Sequence, residues 1–282
     1  MSLLQIITIL AMLLGACACD GSSAAGPQGQ GGTEDAGNTL RLAVTTSTRD
    51  SGLLQQLVPP FEALYGVRVD VIAMGTGAAL QQGRDGNVDA LIVHSRAAEE
   101  KFMAEGHGVR REDLMSNSFE LLGPPDDPAG IKGLDPKMAL RQIASSGQSF
   151  VSRGDESGTH TRELVLWGSI SARPTWDGYV ESGQGMGATL TMANQMGAHV
   201  LCDRGTYLNR VSDIELRPLA AASQAMLNPY GAIAIDPDKH GLIRGELADA
   251  FLDYLILPTT QGLIKRHKVG GESLFAPAHS TD

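Results

Sequence analysis

Positive charge is scarce in this chain, with 22 lysines and arginines against 32 aspartates and glutamates, a formal net charge of −10. No basic surface of useful size can be assembled from that balance, which argues against a nucleic-acid partner. A small anion is not excluded, because it feels the local donors of its pocket more than the distant net charge. Cysteine is nearly absent, at three in 282 residues. Cys17 and Cys19 lie near the N-terminus and Cys202 stands alone in the body, so Cys19 and Cys202 make no natural disulfide pair. Cys202, inside the apolar stretch 198–202, reads as a small buried hydrophobe. Beyond residue 16 no apolar run is long enough to span a bilayer. Several catalytic signatures are missing as well. No G-x-S-x-G elbow occurs. The string Gly75-Thr76-Gly77-Ala78-Ala79-Leu80 lacks the third glycine of a dinucleotide fingerprint. None of the seven histidines forms an i, i+4 pair with a nearby carboxylate suited to zinc. What remains is a chain that is 42% apolar and 19% charged, enough for one large domain or two mid-sized ones.

Residues 3–15 are an apolar run of signal-peptide length, too short to span a membrane. It leads into Leu14-Gly15-Ala16-Cys17, which resembles the bacterial lipobox, where the cysteine is diacylated and becomes the first mature residue. Residues 1–6 hold no Lys or Arg, a departure from the usual positive start of such a signal. The plain alternative is an ordinary cleaved signal with incidental cysteines. The reading adopted is a lipoprotein signal peptide over 1–16, a lipid anchor on Cys17, and a Gly-rich flexible linker over 17–38.

From Leu40 onward short apolar runs alternate with helical periodicity. Strands are expected at 40–45, 67–73 and 88–93, and helices at 52–65, 78–82 and 97–105, with Leu53, Leu54, Leu57 and Phe61 on one helix face. Repeated βα units predict a parallel sheet with right-handed crossovers and a site at the carboxyl ends of the strands. The segment Pro124-Pro125-Asp126-Asp127-Pro128 breaks this rhythm and is a plausible crossing into a second lobe. There a strand is expected at 150–152 and helices at 159–169 and 187–196. A returning strand at 230–235 and helices at 245–257 and 259–267 pack back on the first lobe. The fold class is therefore α/β: lobe 1 from 39–121 and 229–282, lobe 2 from 122–228, with two crossover segments around a central cleft that closes on a ligand.

Four segments share one design, a strand that ends in glycine or hydroxyl residues just before a helix. They are Thr45–Thr48, Gly75–Gly77, Ser152–Thr159 and Gly183–Gly187. Each offers backbone N–H groups at a helix N-terminus, where unpaired donors and the helix dipole favour an anion. Hydroxyls add neutral donors, and Arg153 adds a formal positive charge that is free and solvated while the cleft is open. Any one such segment is equally explained by helix capping. Asp155 and Glu156 lie within the third segment. They either accept a proton from a ligand such as hydrogen phosphate or cap the helix and hold Arg153, and the second is favoured. His94 follows a strand end and either edges the cleft or is a surface or capping histidine, and the second is favoured; His160 abuts Thr159 and helps shape the loop. Met186, Met192 and Met196 are expected in the core, and Asp203 with Arg204 as a local ion pair.

The strings Ala43–Gly52 and Ser152–His160 resemble the tungstate-binding proteins of ABC importers. Further strings match in order: Met74–Leu80, Leu122–Gly133, Gly183–Leu190, Asp203–Tyr207 and Asn228–Gly231, so the resemblance covers nearly all of residues 40–277. It implies a type II periplasmic-binding fold, tungstate as ligand, and delivery to a membrane permease driven by a cytoplasmic ATPase. Carried over by motif position, the ligand contacts are Thr46, Ser47, Thr76, Arg153, Ser157 and Thr159. Tungstate at neutral pH has no proton to give, so its site should be all donors. On this reading the protein is no enzyme. It needs no cofactor or metal ion, works as a monomer, and meets a permease and, through Cys17, a bilayer. Molybdate- or phosphate-binding proteins of the same fold remain open, as does a phosphate-ester hydrolase, which would need a metal or an activated nucleophile.

Overall fold

A computed structural model describes residues 38–170 and 175–281. The signal peptide, Cys17 and the linker up to residue 37 lie outside the described residues. Strand β1 (Thr39–Thr45) buries Leu40, Leu42 and Val44 on one face and Ala43 on the other. A strand buried on both faces reads as a continuous apolar run, as Leu42–Val44 do here after the half-buried Arg41. It stops at Thr45, whose side chain accepts from the Thr48 amide and so starts the short helix α1 (Thr46–Asp50). Helix α2 (Leu54–Tyr65) follows, burying Leu54, Leu57 and Phe61 as its spacing predicts. Then come β2 (Arg68–Met74), α3 (Thr76–Arg84), β3 (Ala90–Val93) and α4 (Arg96–Ala104).

The chain next enters β4 (Gly108–Gly123), a 16-residue strand. After α5 (Pro136–Ser146) a second βα series runs β5 (Phe150–Ser152), α6 (Gly158–Ser169), β6 (Tyr179–Glu181), α7 (Met186–Met196), β7 (His199–Asp203) and α8 (Arg204–Arg210). The two-residue β8 (Arg217–Pro218), β9 (Leu227–Ile235), α9 (Gly245–Ile256) and α10 (Pro258–Arg266) complete the sequence of main elements.

One path of strands runs β2-β1-β3-β9-β4-β7-β5-β6. β1 lies parallel to β2 and β3, and β5 lies parallel to β6 and β7, so each βα series forms its own parallel sheet as expected. Between them β9 is antiparallel to β3 and to β4, and β4 is antiparallel to β7. The assembly is therefore mixed rather than parallel throughout. β4 pairs with β9 as far as Ser118 and with β7 from Phe119 to Leu122. The change of partner thus falls inside a continuous strand. Pro124–Pro128 instead makes a tight turn closed by the Asp127 carboxylate, which accepts from the amides of Ile131 and Lys132.

The first lobe holds β4 and β9 through buried charge. Glu99 on α4 accepts two hydrogen bonds from Arg111 on β4, at 2.9 and 2.7 Å, and a third from the Ser95 amide. Gly231 on β9 passes directly over this pair; a Cβ there would fall 2.4 Å from Glu99 Oε2. α9 closes the same lobe, with Phe251 edge-on to Phe61 of α2 at 4.9 Å. In the second lobe Phe119, Ile131, Leu140, Phe150 and Trp167 form a separate apolar cluster. Cys202 is fully buried among the core residues, and burial pushes its thiol pKa well up. Of the three methionines assigned to the core, Met186 is buried, but Met196 at the end of α7 is 43% exposed.

His199 is fully buried at the start of β7, with Nδ1 3.2 Å from the Ser149 carbonyl. Burial holds its imidazole below the ordinary value. An unfolded histidine ionises near pH 6.5. The stability this residue contributes is therefore complete above that pH and is lost as pH falls toward the lower folded value. The melting temperature should drop in mild acid, and His199→Gln should flatten that drop when both proteins are melted from about pH 7 to 5.

Candidate ligand-binding site

The carboxyl ends of β1, β2, β3, β5 and β7 open onto one cavity of about 1150 Å³. All four anion-type segments read from the sequence meet there: Thr45–Ser47, Gly75–Ala78, Arg153–Thr159 and Gly185–Ala188. Thr46, Ser47 and Thr76 line it from the first lobe, and Arg153, Ser157 and Thr159 from the second. Capping and lining turn out to be compatible. Thr45 caps α1 and Ser157 caps α6, its Oγ accepting from the His160 amide. Gly75 and Gly185 precede α3 and α7 in extended conformation with no side chain in the way. The N-termini of α3, α4, α6 and α7 therefore all face the cavity.

The β5–α6 loop carries the densest chemistry. Arg153 Nη2 donates to Asp155 Oδ2 at 2.5 Å, and the other oxygen of that carboxylate accepts from the Ser157 amide at 3.2 Å. Burial pushes the Asp155 carboxyl up, but the Ser157 hydrogen bonds and the Arg153 charge outweigh it and hold the group below the usual carboxylate range. Arg153 is thus not a free, solvated side chain. It is 17% exposed and already paired, because the left-handed turn at Gly154 (φ 59°) brings Asp155 back beneath it. Its Nε is buried with no protein partner and remains a donor. Of the two roles weighed for Asp155, the structure shows the one that holds Arg153. Glu156 also adopts a left-handed φ of 59°, fixed by its amide donating to His160 Nδ1 at 3.0 Å. Beneath the loop, buried Glu163 accepts from Trp167 Nε1 and Tyr179 Oη at 3.2 and 2.7 Å, pinning α6 to β6.

Sequence reasoning undervalued two parts of the wall. His94 is not a surface residue: it lines the cavity with Nε2 3.3 Å from Ser47 Oγ, its ring 4.7 Å from that of Tyr230. Burial keeps it below the ordinary imidazole range, against the pull of Asp203. Asp203, Thr206 and Arg210 form the far wall. Asp203 does not pair with Arg204. It caps α8 through Thr206, while Arg204 reaches Glu120 at 2.8 Å and Glu272 at 2.5 Å. The D-x-x-T spacing of Asp203 and Thr206, an N-cap pattern, was the available signal.

A family model described as a PBP superfamily domain matches residues 24–259. The tungstate-binding protein TupA of Peptoclostridium acidaminophilum is 42% identical over 282 residues, covering 98% of this chain and 97% of that relative. The chain belongs to the tungstate-binding proteins of the PBP superfamily. Two solved members agree with that placement. The tungstate-binding protein TupA of Desulfovibrio alaskensis G20 superposes with a TM-score of 0.81 at 39% identity, covering 86% of this chain and all of that one. A tungstate ABC transporter structure from Geobacter sulfurreducens gives 0.72 at 47% identity, over 80% and 97% of the two chains. In this PBP-superfamily chain, as in others of its fold, the cleft lies between two α/β lobes joined by shared strands.

The paired Arg153 has an energetic consequence. Arg153→Ala strands a largely buried Asp155 carboxylate, and hydrogen bonds to charged groups contribute about 1.5–3 kcal/mol. Thermal melting of the ligand-free variant should show a loss of about that order, reduced by the residual exposure of both groups.

Proposed function

We propose that this protein is the extracytoplasmic solute-binding component of an ABC importer, capturing tungstate in the interlobe cleft and delivering it to a membrane permease. The observation that carries this reading is the donor character of the cavity. Thr46, Ser47 and Thr76 face Arg153, Ser157 and Thr159 across it, and helix N-termini point in from both sides. Two of the carboxylates that line the cavity are occupied. Asp155 accepts from Arg153 and Ser157, and Asp203 from Thr206. Such a site suits a tetrahedral oxyanion that carries no proton. The close relatives named for tungstate support the choice of ligand. The cavity exceeds what a five-atom anion fills, so capture requires the lobes, 39–121 with 229–282 and 122–228, to close about β4 and β9. The site binds without reacting. Ser47 and His94 stand together, but among the described residues no carboxylate hydrogen-bonds the His94 ring to orient it as a base.

Glu156 favours a second reading. Its exposed carboxylate lines the cavity with no described hydrogen bond, and it is the natural acceptor for the proton of hydrogen phosphate. Calorimetric titration of the ligand-free protein with tungstate, molybdate, phosphate and sulfate separates the two. Tungstate should bind and, at one hundred times its dissociation constant, stabilise the fold by about 2.7 kcal/mol. Binding of phosphate alone would overturn the proposal.

The lipobox Leu14–Cys17 and the Gly-rich segment after it support an acylated, membrane-tethered monomer. Metabolic labelling with a fatty acid should mark the wild-type protein and leave Cys17→Ser unlabelled. A labelled variant would refute the anchor.

A further inference from the structure

The two lobes touch inside the cavity. His94, at the end of β3 in the first lobe, packs against Gly158, the first residue of α6 in the second. Gly158 has no left-handed φ and so no conformational need to be glycine. A Cβ built there would lie 3.2 Å from His94 Cε1 and 3.6 Å from Nδ1, with nothing else within 4 Å. The first of these is tighter than side chains ordinarily show, so a methyl group fits only if the imidazole gives way by a few tenths of an ångström. The ring in turn has little room to retreat. Tyr230 of β9 covers its other side at 4.7 Å, and the Tyr230 hydroxyl lies 3.4 Å from the amide nitrogens of both Asn117 and Asn228 on the two crossing strands. Towards the cavity, His94 Nε2 sits 3.3 Å from Ser47 Oγ.

We infer that His94 and Gly158 form the contact that sets the spacing between the lobes, and hence the size of oxyanion the cleft accepts. The inference rests on the oxyanion-binding reading of this cavity. The α6 N-terminus already rests against the imidazole, whose Nε2 faces Ser47. The width of one ring, backed by Tyr230, fixes how near the second-lobe donors Ser157 and Thr159 come to the first-lobe hydroxyls. Sulfate has shorter bonds than tungstate and is the smaller tetrahedral dianion. Donors held at the spacing of the larger ion reach it poorly, because hydrogen bonds weaken steeply once they are stretched or bent. His94 is accordingly a specificity-determining residue that acts through separation rather than charge.

A double-mutant cycle tests this, with tungstate and sulfate as the probes and calorimetry as the readout. Gly158→Ala should weaken tungstate binding about tenfold, an effect of one misplaced hydrogen-bond set. It should leave the ligand-free melting temperature unchanged or raised, since alanine suits a helix better than glycine. A merely damaged fold would melt earlier. In a His94→Ala background the same Gly158→Ala change should cost nothing, because the ring it collides with is gone. His94→Ala alone should narrow the preference for tungstate over sulfate. An equal tungstate loss in both backgrounds, or no loss in the wild type, overturns the inference. Failure of the wild-type protein to bind tungstate at all would instead overturn the proposed function.

Discussion

Everything in the cleft depends on a single constraint: β4 and β9 belong to both lobes at once. They are hydrogen-bonded to one another along most of their length, and β4 then continues into the second sheet alongside β7. A pair of strands cannot be sheared without breaking the ladder, but it can twist and bend. The ladder between the two strands thus ties the two sheets together. The buried Glu99–Arg111 pair fixes the first-lobe end of β4 to α4, and Gly231 lets β9 pass close over it. Removing either charge would leave the other uncompensated in the interior, a far larger loss than the pair's own net contribution. This pair lies beside the cavity, where Ser95 and its neighbours on α4 form part of the wall.

The binding loop solves a different problem, that of keeping a cation aimed without a bound anion to hold it. Arg153 is anchored by Asp155, Asp155 by the Ser157 amide, and the left-handed Glu156 by His160. Left-handed backbone at a non-glycine residue costs of order 1 kcal/mol or more and persists only where its surroundings impose it. Here the surroundings are α6 itself, tied down by Glu163 through Trp167 and Tyr179. The loop is preorganised, so ordering it contributes little to the cost of binding an anion.

Much of this was legible in the sequence because it obeys local rules. The strand ends at Thr45 and Ser152, the amphipathic face of α2 and the glycines before α3 and α7 all follow from periodicity and capping. The parts that were not legible depend on partners distant in the chain. β4 looks irregular because its residues face β9 in one half and β7 in the other, so no single period describes it. α5 was hidden behind a proline-rich turn, although Asp135 and Pro136 are an ordinary helix start. His94 gave only the weak signal of following a strand end, because its neighbour Gly158 lies 64 positions further on. The pairing of Arg204 went astray for the same reason: Glu120 and Glu272 lie far from it in sequence, whereas Asp203 is only next door.

The charges around the cavity carry a kinetic consequence. Arg153 and Arg210 contribute +2, while Asp50, Asp155, Glu156 and Asp203 contribute −4, a formal sum of −2 on a chain whose net charge is −10. An approaching dianion meets a repulsive field until it is within reach of the hydroxyls and amides, inside roughly one Debye length of about 8 Å. Encounter is therefore slowed rather than steered, and added salt, by screening the repulsion, speeds it. A molecule built this way does not draw anions from a distance; it waits for one to arrive.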